Sequence, residues 1–287
     1  MAATLPGRVH PDTLLEAVLH LDRPVLLRHL GRTIVAACPD EVVTGAAIWD
    51  ALRRRPTGRD ADGGHASAPG PDGATRTGTM AGGWMGLLGD RLAGTVELLP
   101  APPPDDAGPP TGVLARYPAV FEVDDDGRAV LVAECDGPAF RALLDAAGAS
   151  PWYRGSDHLG HAEEVGPPPS TASAARSRTG LRPVSGTRTG DPVVRSSLPG
   201  DLYVEAVERA RELIRAGDVY QVNVVQRLDA EWAHGDFALA RALWDAAGDC
   251  PHRAFVRMDE GTVVSASPEC MVASDGHIAW SEPIKGT

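Results

Sequence analysis

The C-terminal third of the chain alternates apolar and polar side chains with the period of an α-helix. Apolar residues recur at helical spacing from Asp201, which we interpret as an N-cap, to Gly217, where the helix should end. A second helix is predicted from about Asp236 to Ala247, with Gly248 as its stop. Each segment carries one apolar stripe, so each is expected to pack against other elements on one side.

Strand-like segments surround these helices. Between them, Val219 to Leu228 is rich in β-branched residues and is predicted to be a strand with Gln221 and Asn223 on one face. After the second helix, turn residues separate three further predicted strands: Ala254 to Met258, Thr262 to Ala266 and His277 to Trp280. Helices beside antiparallel strands indicate an α+β fold.

The N-terminal half contains two predicted hairpins and a helix. Val25 to Leu30 and Thr33 to Ala37 flank Gly31-Arg32, and Val120 to Val123 and Ala129 to Ala133 flank a turn of three aspartates and a glycine. Antiparallel pairing is therefore expected in this half too. A short helix follows from Pro138 to Ala147, and Gly148 is predicted to close it.

Glycine and proline are concentrated in stretches without hydrophobic periodicity, which divide the chain. These stretches are Thr57 to Thr79, Pro100 to Pro110 and Arg154 to Gly200. The longest is typical of a linker between two structured regions. We predict an N-terminal region over residues 1–153, a linker over 154–196 and a second region over 197–287.

Composition excludes several classes of protein. The 287 residues include 27 Lys and Arg against 39 Asp and Glu, a net charge of −12, which argues against a nucleic-acid partner. No apolar run approaches the roughly 20 residues that span a bilayer, and the N-terminus lacks an apolar signal core. We therefore expect a cytoplasmic protein without a membrane partner. The four cysteines are far apart and form no CxxC pair, so neither a disulfide framework nor a zinc site is indicated.

Candidate chemistry lies near the end of the sequence. Glu269 follows Ser267-Pro268, and sixteen residues later Lys285 lies within Pro283 to Thr287. A lysine whose pKa is lowered by burial is a nucleophile, and a nearby carboxylic acid can transfer protons to a leaving hydroxyl. In the same motif, Gly286 allows backbone N–H groups to approach a ligand carboxylate, and the Thr287 hydroxyl adds a donor. The spacing alone is weak evidence for a site, and it favours the simpler interpretation of a solvated lysine in a Pro-Gly turn and a surface glutamate after a proline.

Four segments together resemble the chorismate-utilising enzyme family. They are Ala216 to Leu228 (AGDVYQVNVVQRL), Ser265 to Cys270 (SASPEC), Pro283 to Thr287 (PIKGT) and Gly82 to Gly89 (GGWMGLLG). A lysine within PIKGT is similar to the aminodeoxychorismate synthase component I branch, whereas anthranilate synthase component I normally carries alanine there. The resemblance implies a layered α/β/β/α fold with antiparallel sheets, like that of anthranilate synthase component I and incomplete at its C-terminus.

The resemblance also implies a reaction and its participants. Chorismate would be aminated to 4-amino-4-deoxychorismate, on the route to p-aminobenzoate and folate, with ammonia from a glutamine amidotransferase partner. Lys285 would attack ring carbon C2 and expel the C4 hydroxyl, and Glu269 would be the general acid and base. Mg²⁺ is the expected cofactor. Its ligands are expected in a C-terminal part beyond Thr287, so we predict no metal ligand within this chain and no turnover by the chain alone.

Two alternatives stay open at this point. The first is another reaction of the same family, anthranilate or isochorismate formation, for which PIKGT is the wrong motif. The second is a non-catalytic remnant that docks an amidotransferase. Product analysis separates the first from aminodeoxychorismate formation, and capture of an amidotransferase without chorismate turnover would favour the second.

Overall fold

The computed structural model describes residues 2–29, 31–53, 82–96, 112–149, 194–274 and 278–284. Contacts divide these residues into two compact units, one from the described parts of 1–158 and 236–286, the other from those of 159–235. Most of the three Gly- and Pro-rich stretches lie outside the described residues. The domain boundaries drawn from the sequence stay predictions.

Helices and antiparallel strands make up the described residues. The α-helices are α1 (Pro11–Val18), α2 (Ala47–Arg53), α3 (Pro138–Ala149), α4 (Gly200–Ala216) and α5 (Gly235–Ala247), with a 3-10 helix at Asp90–Thr95. The strands of the first half are β1 (Ala2–Thr4), β2 (Val25–His29), β3 (Arg32–Ala36), β4 (Glu41–Thr44), β5 (Gly83–Leu88), β6 (Gly112–Tyr117), β7 (Ala119–Val123) and β8 (Ala129–Ala133). The later strands are β9 (Arg195–Ser196), β10 (Leu228–Asp229), β11 (His252–Met258), β12 (Gly261–Ser267), β13 (Cys270–Ser274) and β14 (Ala279–Glu282). No helix among them is both long and apolar enough to cross a membrane.

A seven-stranded antiparallel sheet organises the first unit. Its strand order is β1-β8-β7-β3-β2-β11-β12, so β11 pairs with β2 across more than 220 residues of sequence. In that pair Leu27 lies opposite Ala254, and His29 lies opposite His252. A separate three-stranded sheet has the order β4-β6-β5, and β13 pairs with β14 as a two-stranded ribbon. The seven-stranded sheet therefore joins strands from both ends of the chain.

Apolar side chains pack on both faces of the large sheet. On one face the core includes Leu14 and Leu15 of α1, Leu143 of α3 and Trp244 of α5. On the other face, Met85, Val113 and Tyr117 of the three-stranded sheet join residues of β2, β3 and β11. Burial of side chains of this size contributes about 1.5–3 kcal/mol each relative to exposure. The predicted α+β class with antiparallel sheets is confirmed, whereas the four-layer order and an incomplete C-terminus stay predictions.

The predicted N-terminal hairpins and the predicted end of helix α4 are confirmed. Both N-terminal hairpins form, as β2–β3 and β7–β8. Helix α4 ends at Gly217, which has φ 82°, and the amides of Gly217 and Asp218 donate to the carbonyls of Ile214 and Leu213 at 3.1 and 3.0 Å. The glycine conformation closes the helix as expected.

Two helix boundaries were predicted wrongly. The N-cap of α4 is Pro199 rather than Asp201, and Asp201 lies in the first turn, where its charge still favours the helix dipole. Helix α3 runs through Gly148 to Ala149 instead of stopping at the glycine. A glycine inside a helix costs about 1 kcal/mol, which the packing of α3 on the sheet can offset.

Two strand predictions also need correction. Of the predicted strand Val219 to Leu228, only Leu228 pairs, in β10 with β9, and residues 219–227 form no strand. Strand propensity reflects packing on neighbouring strands, and these residues are mostly exposed in their unit. The strand expected at His277 to Trp280 is β14 (Ala279–Glu282), while residues 275–277 lie outside the described residues. Its partner β13 was not predicted.

Candidate active site

The ribbon of β13 and β14 positions the segments singled out for chemistry. Cys270 lies opposite Glu282, Ala273 opposite Trp280 and Ser274 opposite Ala279, with an irregularity in register between Cys270 and Ala273. Glu269 immediately precedes Cys270, and the PIKGT motif begins immediately after Glu282. The register therefore brings the two motifs to the same end of one ribbon.

Glu269 lies in the link between β12 and β13, and its side chain is exposed. The backbone N–H of Glu269 donates to the Ser267 hydroxyl at 3.3 Å, and that hydroxyl donates to the Glu269 carbonyl oxygen at 3.0 Å. These bonds hold the backbone in a tight turn. The Glu269 carboxylate makes no hydrogen bond or ion pair with another described residue, so it is available to a ligand.

Three of the four predicted site residues cannot be placed. Lys285, Gly286 and Thr287 lie outside the described residues, which end at Ile284. Ile284 itself is 62% exposed. The roles of these three residues, and that of Glu269, stay predictions.

A second group of side chains beside the ribbon was missed in the sequence. The rings of His29 and His252 stack with centroids 4.8 Å apart, and Nε2 of His252 lies 4.0 Å from Oε2 of Glu282. Burial and the Glu282 charge raise the pKa of the neighbouring Cys270 thiol. No local spacing signal could have revealed this group, because the two histidines are 223 positions apart and only the β2–β11 pairing joins them.

The GGW element has a packing role in the structure. It forms β5, and a Cβ atom at Gly86 would lie 2.0 Å from the carbonyl oxygen of Val113 on β6. Only glycine allows the two backbones this close approach. Trp84 is partly buried and packs against a small cluster of Ile48, Leu92 and Leu114.

Tyr220 to Asn223, the YQVN of the resemblance, belongs to the second unit. Tyr220 is 88% exposed and Val222 is 45% exposed in the described residues. The prediction that Gln221 and Asn223 share one face of a strand is wrong, because residues 219–227 form no strand.

A cavity of about 360 Å³ opens near the N-terminus of α1. Its lining combines arginines with aspartates: Arg8, Arg28 and Arg253 face Asp12 and residues 124–127. Neither Glu269 nor any residue of 278–284 lines it. We therefore do not place the proposed chemistry in this cavity, because the motif residues that carry it lie on the ribbon.

Mg²⁺ was expected as a cofactor without a ligand in this chain, and that expectation stays a prediction. No three His, Cys, Asp or Glu side chains among them come together in a way that could hold a metal ion. Mg²⁺ takes carboxylate and water oxygens in near-octahedral geometry, which a single exposed carboxylate such as Glu269 does not supply. We route no step of the chemistry through a metal.

The chain belongs to the chorismate binding enzyme family, whose sequence pattern matches residues 32–287. This confirms the family expected from the four segments.

Individual relatives divide between two reactions. Aminodeoxychorismate synthase component 1 of Klebsiella aerogenes is 29% identical over 207 residues, which are 72% of this chain and 38% of the relative. Anthranilate synthase component 1 of Thermus thermophilus is 32% identical over 207 residues, 72% of this chain and 39% of the relative. Aminodeoxychorismate synthase component 1 of Escherichia coli is 35% identical over 92 residues, 32% of this chain and 20% of the relative. The chain thus spans about two fifths of the longer matches.

Proposed function

We propose that this chain is part of an aminodeoxychorismate synthase large component, which aminates chorismate with ammonia from a glutamine amidotransferase. The observation that supports it most directly is the ribbon register, in which Cys270 opposes Glu282. That register puts the predicted general acid and the start of the PIKGT motif at neighbouring positions. Membership of the chorismate binding enzyme family supports chorismate as the substrate.

Covalent geometry limits how far Lys285 can lie from Glu269. Opposed Cα atoms in an antiparallel pair are about 4.5–5.5 Å apart, and the three residues from Glu282 to Lys285 span at most about 11 Å. Glu269 is one residue from Cys270 on the other strand. Both side chains can therefore reach a ring-sized substrate at this end of the ribbon, which supports assigning them to one site.

The proposed reaction has two displacement steps. In the first, the neutral Lys285 amine forms a bond to C2 of chorismate, and the C4 hydroxyl leaves as water with a proton from Glu269. In the second, ammonia forms a bond to C4 and the C2–N bond breaks, which returns the lysine as an amine. The Glu269 carboxylate then takes one proton from the new ammonium group on C4, which restores the carboxylic acid for the next cycle. The sum is chorismate plus ammonia giving 4-amino-4-deoxychorismate plus water.

The test uses the extended chain, which we define as residues 1–287 joined to the C-terminal remainder of the Klebsiella aerogenes relative. With chorismate, ammonia and Mg²⁺, we expect 4-amino-4-deoxychorismate by chromatography and mass spectrometry. Glu269→Gln should lower kcat by about 10²–10⁴, the range for loss of a general acid. Glu260→Gln, an exposed glutamate in the β11–β12 turn, is the matched control and should leave kcat unchanged.

Anthranilate formation is the second candidate, favoured by the Thermus thermophilus relative at 32% identity over the same share of the chain. Lys285 argues for amination at C4, because the resemblance associates alanine at this position with anthranilate synthases. Anthranilate as the main product of the extended chain would overturn the assignment. Activity with glutamine instead of ammonia, only after an amidotransferase is added, would test the proposed partner.

A further inference from the structure

His29, the last residue of β2, and His252, the first residue of β11, form an imidazole pair. The two residues are opposed in the ladder, and their Nδ1 atoms are 3.0 Å apart. The rings stack with an interplanar angle of 23°. A hydrogen bond between two ring nitrogens needs one N–H and one lone pair, so the pair cannot keep this contact when both imidazoles are fully protonated.

The neighbouring groups favour one distribution of protons over the ring nitrogens of His29 and His252. Nε2 of His252 faces the Glu282 carboxylate at 4.0 Å, which favours a proton on that nitrogen. His252 then accepts at Nδ1 and His29 donates from Nδ1. The remaining Nε2 of His29 is buried without a hydrogen-bond partner among the described residues. A further proton on the pair must be placed there, where no acceptor meets it, so the geometry favours the neutral pair.

Two neighbouring titratable side chains, Arg32 and Cys270, are respectively ion-paired and neutral. Arg32 of β3 opposes His29 in the ladder and forms an ion pair with Glu122 of β7. Cys270, opposite Glu282, carries a thiol whose pKa is raised, and so it stays neutral near pH 7. Burial lowers the pKa of His29, and the charge of His252 lowers it further, while Glu282 opposes both. These directions agree with the proton arrangement drawn from the contacts.

The strand ends near the pair are held by backbone contacts. The buried Cys250 thiol lies 3.3 Å from the carbonyl oxygen of His252 and 3.1 Å from that of Ser267, so it bridges β11 and β12. Ser267 in turn holds the Glu269 turn. Glu282, the carboxylate that His252 faces, is the residue immediately before Pro283. The pair therefore adjoins the backbone positions on both sides of the proposed site.

We propose that His29 and His252 are positioning residues: their mutual hydrogen bond orients Nε2 of His252 toward Glu282 and so helps to place the strand end that leads into the PIKGT motif. The contact geometry stands independently, and only the consequence for catalysis rests on the proposed function. Loss of either histidine or of the Glu282 carboxylate should therefore loosen the β14 end while the large sheet stays folded. The proposal concerns placement of the segment, and neither histidine is assigned a step in the reaction.

Nuclear magnetic resonance of the 287-residue chain with ¹⁵N-labelled histidine tests the pair directly. At pH 7.5 we expect a through-hydrogen-bond coupling between the two Nδ1 nuclei, which disappears on acidification and in His252→Gln. The exposed His20 provides the matched control, because His20→Gln should preserve the coupling. Absence of the coupling at pH 7.5 in the folded chain would overturn the pair.

Hydrogen–deuterium exchange tests the positioning role. Amides of residues 279–282 and 284 should exchange up to about fivefold faster in Glu282→Gln and His252→Gln, because each variant loses a partly exposed polar contact. Glu282 is partly exposed, and its amide variant is expected to fold. Unchanged exchange in both folded variants would overturn the role. Neither measurement needs chorismate. A negative result in either one is therefore distinct from a failure of the proposed reaction.

Discussion

The Asp236 carboxylate accepts hydrogen bonds from three other residues of the first unit. Arg257 donates to it from Nε at 2.9 Å and from Nη2 at 2.8 Å, and the Thr262 hydroxyl donates at 2.6 Å. The backbone amide of Phe237 adds a fourth bond at 2.8 Å. Arg257 also donates to the carbonyl oxygen of Leu19 after α1. One carboxylate thus ties α5 to β11, β12 and the end of α1.

Asp236→Asn replaces one acceptor oxygen by a donor that faces Arg257 or Thr262. Losing a charge-assisted hydrogen bond costs about 1.5–3 kcal/mol, and with about a third of each charged side chain exposed we expect about 2 kcal/mol. Asp50→Asn is the matched control, since Asp50 and its partner Arg53 are each 75% exposed. The control should change stability by at most about 0.5 kcal/mol. Urea unfolding followed by far-ultraviolet circular dichroism measures both.

The stability difference between wild type and Asp236→Asn should also depend on pH. Partial burial acts to raise the pKa of Asp236, but hydrogen bonds from Arg257 and Thr262 outweigh it and hold the pKa below its ordinary value. A lowered folded-state pKa stabilises the fold above the unfolded-state pKa, near 4, and this stabilisation is lost as pH falls through the folded value. The difference between wild type and Asp236→Asn should be constant from about pH 5 to 7 and shrink below about pH 4. A difference under about 0.5 kcal/mol at pH 7 would refute the reasoning.

Two further predictions concern packing. Gly86→Ala should cost more than about 3 kcal/mol or prevent folding, because its Cβ would lie 2.0 Å from a backbone oxygen, whereas Gly94→Ala, whose Cβ meets no atom within 4 Å, should cost under about 1 kcal/mol. Trp244→Phe should cost about 2 kcal/mol and Trp232→Phe under about 1 kcal/mol. Both indoles donate to a backbone carbonyl, at 3.0 and 2.7 Å, but Trp244 is 2% exposed and Trp232 45%. Urea unfolding tests both pairs, and equal losses within a pair would contradict the packing argument.

The sequence was sufficient where structure is decided locally. The hairpins β2–β3 and β7–β8 follow from turn residues between apolar runs, and the stops at Gly217 and Gly248 follow from a residue type that tolerates positive φ. Strand Val219 to Leu228 failed because a strand needs a partner, which propensity cannot provide. Strand β13 was missed because its sequence, CMVAS, is a short apolar run without the alternation of apolar and polar residues that marks a half-buried strand.

The candidate site shows the same division. Glu269 was found through its motif, and its accessible position fits the predicted role without testing it. The His29–His252 contact depends on the register between β2 and β11, which follows from the packing of the whole sheet. A pair formed by strands so distant in sequence leaves no local pattern to recognise.

The central claim is that the Lys285 amine bonds to chorismate, and mass spectrometry of the extended chain tests it most directly. Incubated with chorismate and Mg²⁺ but without ammonia, the protein should gain the mass of chorismate less one water, on a peptide that contains Lys285. Lys285→Ala should show no gain and should make no 4-amino-4-deoxychorismate when ammonia is supplied. Product formation by Lys285→Ala at the wild-type rate would contradict the claim.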